Sequence, residues 1–163
     1  MKVDILKNGM LRIDGAKIIF RNFSGEGSKF NRPGDRNFAV IIPDQECCEI
    51  LQNDVNEYGV GWNVKIKPPR DADEDPFMFL SVKVKFDSRR PPNIYLKTDT
   101  AMVKLDEDSV DMLDNIDIAS VDLDINPSDG ELNGKPYRSA YLQSMCVTQD
   151  VTDRFAEHYN ERR

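Results

Sequence analysis

Residues 17–42, "KIIFRNFSGEGSKFNRPGDRNFAVII", place four phenylalanines and five basic side chains around glycine turns. Rings beside cations suit a single-stranded nucleic acid, because bases stack on aromatic faces and phosphates follow positive charge. Other residues with chemical potential are less well arranged. His158 is the one histidine and lies in a polar segment near the C-terminus. A catalytic base must be held by packing and by a third group, and a histidine zinc site needs a second histidine. Cys47, Cys48 and Cys146 make neither a CxxC pair nor an even disulfide set, so they are expected to be reduced and structural. No P-loop, GxGxxG, HExxH or GxSxG motif occurs, and the expectation is a non-enzyme with no catalytic residue, metal or cofactor.

Charge is distributed unevenly. The chain carries a formal net charge of −7, yet residues 17–38 hold five basic against two acidic side chains, a net of +3. Residues 99–131 hold eleven carboxylates against Lys104 alone. This acidic block could supply hard oxygen ligands from Asp106, Glu107 and Asp108, or from Asp122 and Asp124. It contains no calcium-loop spacing, and alternate carboxylates on a strand are commonly its wet face. No apolar run approaches the length of a membrane span, and the first residues lack the apolar stretch of a signal peptide, so a cytoplasmic protein without membrane contact is expected.

The elements that must position these residues read as short strands with a period of two, broken by glycine, proline and aspartate. In residues 17–23, Ile18 and Phe20 share one face while Lys17, Ile19, Arg21 and Phe23 share the other. Residues 37–43 form a buried strand, and Asp44 caps a helix expected over residues 45–59. Trp62, Val64 and Ile66 alternate with Lys65 and Lys67, and Leu80, Val82, Val84 and Phe86 alternate with Ser81, Lys83 and Lys85. A basic turn holding Arg89 and Arg90 leads to a short strand in which Tyr95 opposes Ile94 and Leu96. The acidic block opens with a short helix on Leu105, Val110 and Leu113, then a strand over 119–127, a hairpin tip over 128–137 and a closing strand over 138–149. The expected fold is mostly β: an OB-fold-like Greek-key barrel of about five or more antiparallel strands with one interposed short helix. Residues 1–163 read as a single domain with its core at about 11–150, and residues 151–163 as a terminal helix or flexible tail.

Parity sorts the aromatics. Phe20, Phe38, Phe86 and Trp62 are expected in the core, whereas Phe23, Phe30 and Tyr95 are the candidate base platforms. Arg21, Lys29, Arg32, Arg36, Lys65, Lys67, Lys83, Lys85, Arg89 and Arg90 are the candidates for following a phosphate backbone. Each lysine pair alone could equally solvate an outer face or blunt an edge strand.

The order of these features resembles the phage-encoded OB-fold single-stranded-DNA-binding proteins of replication and recombination. The likeness rests on "AKIIFRNFSG", on "SKFNRPGDRNFAVIIPD" with its aromatic, basic turn and apolar strand ending in Pro-Asp, and on "DLDINPSDGELNGKPYRSAYLQSMCVTQ". It implies a cytoplasmic protein of a phage-infected host that binds single-stranded DNA with little sequence preference. Many of that group finish in an acidic tail that recruits partners, whereas this sequence reads "EHYNERR", so tail recruitment is not carried over. The acidic face is expected either to repel DNA from the wrong side or to bind a protein partner, and a homo-oligomer is left open. Two alternatives stand beside this expectation: an acidic interaction module or DNA mimic that occupies a basic partner, and a metal-dependent nuclease using Asp122.

Overall fold

Alternating apolar and polar residues build ten strands and one short helix in a computed structural model that describes residues 1–151. His158 and the expected terminal helix or tail past Val151 lie outside the described residues. The strands are β1 (Lys2–Ile5), β2 (Leu11–Ala16), β3 (Ile18–Asn22), β4 (Arg36–Ile42), β5 (Val64–Lys67), β6 (Phe77–Val84), β7 (Asn93–Lys97), β8 (Met102–Leu105), β9 (Ile118–Leu132) and β10 (Lys135–Gln149). The helix α1 is Gln45–Asn53, and a 3-10 turn covers Val110–Asp114.

The strands join one large mixed sheet. Antiparallel pairs are β1–β2, β2–β9, β9–β10, β3–β4, β4–β6, β5–β6 and β7–β8. The expectation of antiparallel strands alone is corrected by β10, which runs parallel to β6 and to β7. Its direction is imposed by β9, to which it is tied through Asn133 and Gly134, both at positive φ (53° and 78°). That Asn-Gly pair is the two-residue turn whose twist matches a tight hairpin. Only Lys17 separates β2 from β3, and its carbonyl accepts a bond from Ile41 N at 2.9 Å. One curved run therefore pairs with β9 along its first half and with β4 along its second.

Side chains at alternate positions fill the interior. Leu11 and Ile13, Phe38 and Val40, Leu80 and Val82, Val121 and Leu123, and Met145 and Val147 are all buried. Trp62 joins them as parity requires, its indole N–H donating to Asp54 at 2.8 Å. Cys47 and Cys48 are buried on α1 as structural thiols, and burial pushes Cys47 up to about 11.

Three local departures have physical causes. First, Phe20 has φ of 54°, and the β3–β4 register slips between Ile19 and Asn22, so that Phe20 and Arg21 oppose the single residue Phe38. This bulge inserts one residue and inverts the alternation after it. Phe20, expected inside, is 52% exposed, and Phe23, expected outside, is fully buried. Second, α1 begins at the Asp44 cap, whose carboxylate accepts from Cys47 N at 2.8 Å, but stops at Asn53 rather than near 59. Asn56 Oδ1 accepts from both Tyr58 N and Val60 N, a side-chain turn that competes with helix. Third, β1, β2 and β8 are strands in segments where no strand was expected, each formed by pairing with a neighbour: β2 lies between β1 and β9, and β8 pairs with β7.

Candidate nucleic-acid interface

The outward positions of β6 are Phe77, Phe79, Ser81 and Lys83, because Met78, Leu80, Val82 and Val84 point to the core. Register sets their neighbours on the same face. Phe79 lies between Ile41 of β4 and Lys65 of β5, and Lys83 between Asn37 of β4 and Tyr141 of β10. At roughly 3.3 Å per strand residue, the two positions are about 13 Å apart along one surface.

At the Phe79 end stands an aromatic cluster. Phe20 meets Phe79 edge-on with centroids 5.4 Å apart and Phe77 at 6.3 Å, and Phe77 lies 5.5 Å from Phe79. Phe79 is the buried floor and Phe20 the half-exposed wall. Lys67 Nζ is 5.7 Å from the centroids of both Phe20 and Phe79, and Lys65 Nζ is 5.8 Å from Phe79. Such exposed cation–ring contacts contribute about 0.5–1 kcal/mol each, weak enough to be exchanged for a phosphate.

At the Lys83 end, the ammonium sits 5.6 Å from the Tyr141 ring. A cleft of about 600 Å³ adjoins a second of about 310 Å³, with Lys85 and Tyr141 lining both. Arg36 and Lys83 border the first together with Asp35, Asp87 and Glu107, and Arg89 and Arg90 border the second, which no carboxylate lines. Among the described residues, Lys65, Lys67, Lys83, Lys85, Arg89 and Arg90 form no ion pair, so their charge is directed to solvent.

The loop after β3 carries Phe30, 91% exposed, with Lys29 Nζ 5.8 Å from its ring. Arg32 is exposed beside it. The loop is braced rather than loose. Asn31 donates to Asp35 O at 2.7 Å, Asn37 donates to Asn31 Oδ1 at 2.7 Å, and Gly34 N donates to Gly25 O at 2.7 Å.

Four candidate residues fall elsewhere or are already engaged. Phe23 is corrected from platform to core: its ring stacks on Phe38 at 5.2 Å and presents no face to solvent. Arg21 donates to Leu113 O and Ile116 O, each at 2.7 Å, and so fastens the 3-10 turn to β3. Arg36 donates to Phe23 O at 2.8 Å and pairs with Glu107 at 3.3 Å while lying 5.3 Å from the Phe86 ring. Tyr95 lines a depression with Asp14, Asp122 and Asp124, apart from the basic group.

Six of the eleven carboxylates of the acidic block are occupied. Asp114 accepts from Phe23 N and Ser24 N, Asp122 from Gly15 N, and Asp124 from Arg12 through two bonds of 2.9 and 3.0 Å. Asp129 is held below the usual carboxylate range chiefly by its bond from Arg138, and Asp106 by the Ser109 hydroxyl. Among the described residues, no group of three or more His, Cys, Asp or Glu side chains is placed to hold a metal ion. The converging third carboxylate that a nuclease using Asp122 needs is therefore absent from that set.

Sequence reasoning missed Phe20, Phe77, Phe79 and Tyr141 as residues of this face. Extending the alternation of Lys83 and Ser81 back by two puts Phe79 on the lysine face, so that signal was present. The bulge that exposes Phe20 leaves no comparable mark.

The sequence matches, over residues 2–161, the family described as "Putative phage ssDNA-binding domain". The chain belongs to this family. Among solved structures it resembles the single-stranded DNA-binding protein from bacteriophage Enc34 in complex with ssDNA, at 11% identity and a TM-score of 0.54, covering 93% of each chain. The same phage protein without that description of a complex matches at 12% identity and a TM-score of 0.52, over 96% of this chain and 93% of the other. At such identities the likeness is one of fold, and it extends over nearly the whole chain. No curated protein matches the sequence.

Proposed function

We propose that this protein binds single-stranded DNA with little sequence preference and serves phage DNA replication or recombination in the host cytoplasm. The observation that carries the reading is the shared outer face of β5, β6 and β10. There, lysines without ion-pair partners among the described residues stand beside aromatic rings, in a chain of the phage ssDNA-binding family. The supporting architecture is a five-stranded OB-like barrel. The run formed by β2 and β3, then β4, β6, β10 and β9 would close on itself, with the binding surface on its outer wall.

Lys65, Lys67, Lys83, Lys85, Arg89 and Arg90 follow the phosphates, and Tyr141, which lines both clefts, offers a ring beside Lys83. Lys29, Phe30 and Arg32 form a braced arm at one side. Arg21 and Arg36 instead brace β3 and the loop after it, and Phe23 packs in the core against Phe38. The rings read no base edges, which makes binding tolerant of sequence. The exposed carboxylates Asp108, Asp111 and Asp117 are left for a protein partner.

The test is titration of the full chain with a fluorescent 30-mer and with its duplex, at several salt concentrations. Log affinity for the single strand should fall by about 0.7 per phosphate contacted for each tenfold rise in salt, and the duplex should bind more weakly. Absence of binding to the 30-mer at low salt overturns the reading.

A further inference from the structure

We infer that Phe20 is a base-stacking platform, raised out of the sheet by its bulge, with Phe79 as its floor and Lys67 and Lys65 as the cations beside it. The inference rests on the single-stranded-DNA reading above and assigns within it the site that recognises nucleobases rather than phosphate.

Three observations converge. The first is backbone conformation: a bulky residue at φ of 54° is a strained choice where glycine or asparagine would sit more easily. The second is what the strain achieves. Without the bulge, alternation would send Phe20 inward. With it, the ring stands 52% exposed, while Phe23 takes the core position against Phe38. The third is the surroundings. The ring is propped edge-on by Phe77 and Phe79, at 6.3 and 5.4 Å, so its plane is fixed before a ligand arrives. A platform fixed in advance loses little conformational freedom when a base stacks on it.

Lys67 completes the site. Its ammonium lies 5.7 Å from the Phe20 centroid in the unbound protein. A base stacking on that ring displaces the ammonium, which is then free to meet the neighbouring phosphate. The occupant is therefore a base with its backbone, not an apolar peptide. The wall is aromatic, the rim is cationic, and neither Lys65 nor Lys67 has a carboxylate partner among the described residues.

The experiment compares the wild-type chain with Phe20→Asn, Phe20→Ala and Phe20→Tyr. Asparagine tolerates positive φ and so removes the ring without disturbing the bulge. Each protein is titrated with an oligothymidine 30-mer and with an abasic oligomer of equal charge, and its Tm is measured. Losing one stacked base should weaken oligothymidine binding about 5- to 150-fold. The salt slope and the abasic affinity should be unchanged, and Phe20→Tyr should bind as wild type does. The Tm of Phe20→Asn should stay close to that of wild type, because relief of the positive-φ strain offsets the lost ring contacts with Phe77 and Phe79.

If wild type binds oligothymidine and folded Phe20→Asn binds it equally well, the platform is overturned while the general reading stands. A wild-type chain that binds neither oligomer overturns both. Should Phe20→Asn lower the Tm and weaken both oligomers alike, the ring is a packing element, and the assignment fails. Should it change the oligomeric state with oligothymidine affinity intact, the ring belongs to a contact between copies, and the assignment fails again.

Discussion

Along β5, on β6 and just past its end, Lys65, Lys67, Lys83 and Lys85 have no carboxylate partner among the described residues, and each of Lys65, Lys67 and Lys83 leans on an aromatic ring. On β9 and the segment before it, six of the eleven carboxylates are already tied to backbone N–H groups, to Ser109 or to arginines. The first region holds charge without an internal task, and the second uses charge to fasten strands and loops together. A net charge of −7 therefore says little about the ligand, because it sums a basic face directed outward and an acidic block of which more than half is engaged within the fold. Changes on the β5–β6 face should alter affinity with little effect on stability, and changes in the acidic region should do the reverse.

The largest effect expected from this division is on DNA. Replacing Lys65, Lys67, Lys83 and Lys85 together by alanine should reduce the salt slope by up to about 3, at about 0.7 for each phosphate that no longer meets a lysine. At an ionic strength of about 0.1 M this corresponds to roughly a 10²- to 10³-fold loss of affinity. Thermal unfolding should be nearly unchanged, since all four side chains are exposed. An unaltered salt slope would break the comparison at once.

Next comes Arg138→Ala. The guanidinium is almost fully buried, donates to Asp129 at 2.8 Å and to Asp54 O at 2.7 Å, and lies 5.1 Å from the Trp62 ring. Its removal leaves Asp129 without its cation and uncovers the indole, and should cost about 3 kcal/mol in urea unfolding. The salt slope should match that of wild type. Asp114→Ala is smaller, about 2 kcal/mol, because Phe23 N and Ser24 N lose their acceptor at the start of the braced loop. Asp114→Asn, which keeps one oxygen acceptor, should recover part of it.

Much of this division was legible in the sequence, and where it was not, the cause is specific. The opposed signs of residues 17–38 and 99–131, the capping Asp44, the Asn-Gly hairpin and the lysine faces of β5 and β6 all follow from local rules of spacing and turn chemistry. Parity failed at Phe20 and Phe23 because one inserted residue inverts alternation, and nothing in "IIFRNF" marks where the extra residue falls. Arg21 and Arg36 look like any surface cations in sequence. Their acceptors lie 92 and 13 residues away, at Leu113 O and Phe23 O, and only the fold brings them into reach. Tyr95 was assigned correctly to an outward face, but its neighbours Asp122 and Asp124 come from a different strand and give that face the opposite charge. Parity gives the side of a sheet and says nothing about who shares it.

The smallest effect separates the two regions by pH. Asp129, bound by Arg138, and Asp106, bound by Ser109, are held below the ordinary carboxylate value of 3.8. A carboxylate lowered on folding contributes stability that is fully present above the unfolded value and is lost as pH falls through the lower folded value. Stability should thus be flat with respect to these groups from about pH 8 to pH 5 and decline below about pH 4. The β5–β6 face takes no part in these carboxylate contacts, so affinity should not follow the decline until the protein unfolds. Asp129→Asn should be less stable than wild type at neutral pH and should show a shallower acid limb. The difference should be under about 1 kcal/mol, because this carboxylate is partly screened by water. Urea midpoints measured at about pH 7, 5 and 3.5 would reveal it. Identical acid limbs for the two proteins would mean that the Asp129–Arg138 contact contributes no charge-dependent stability to the acidic region.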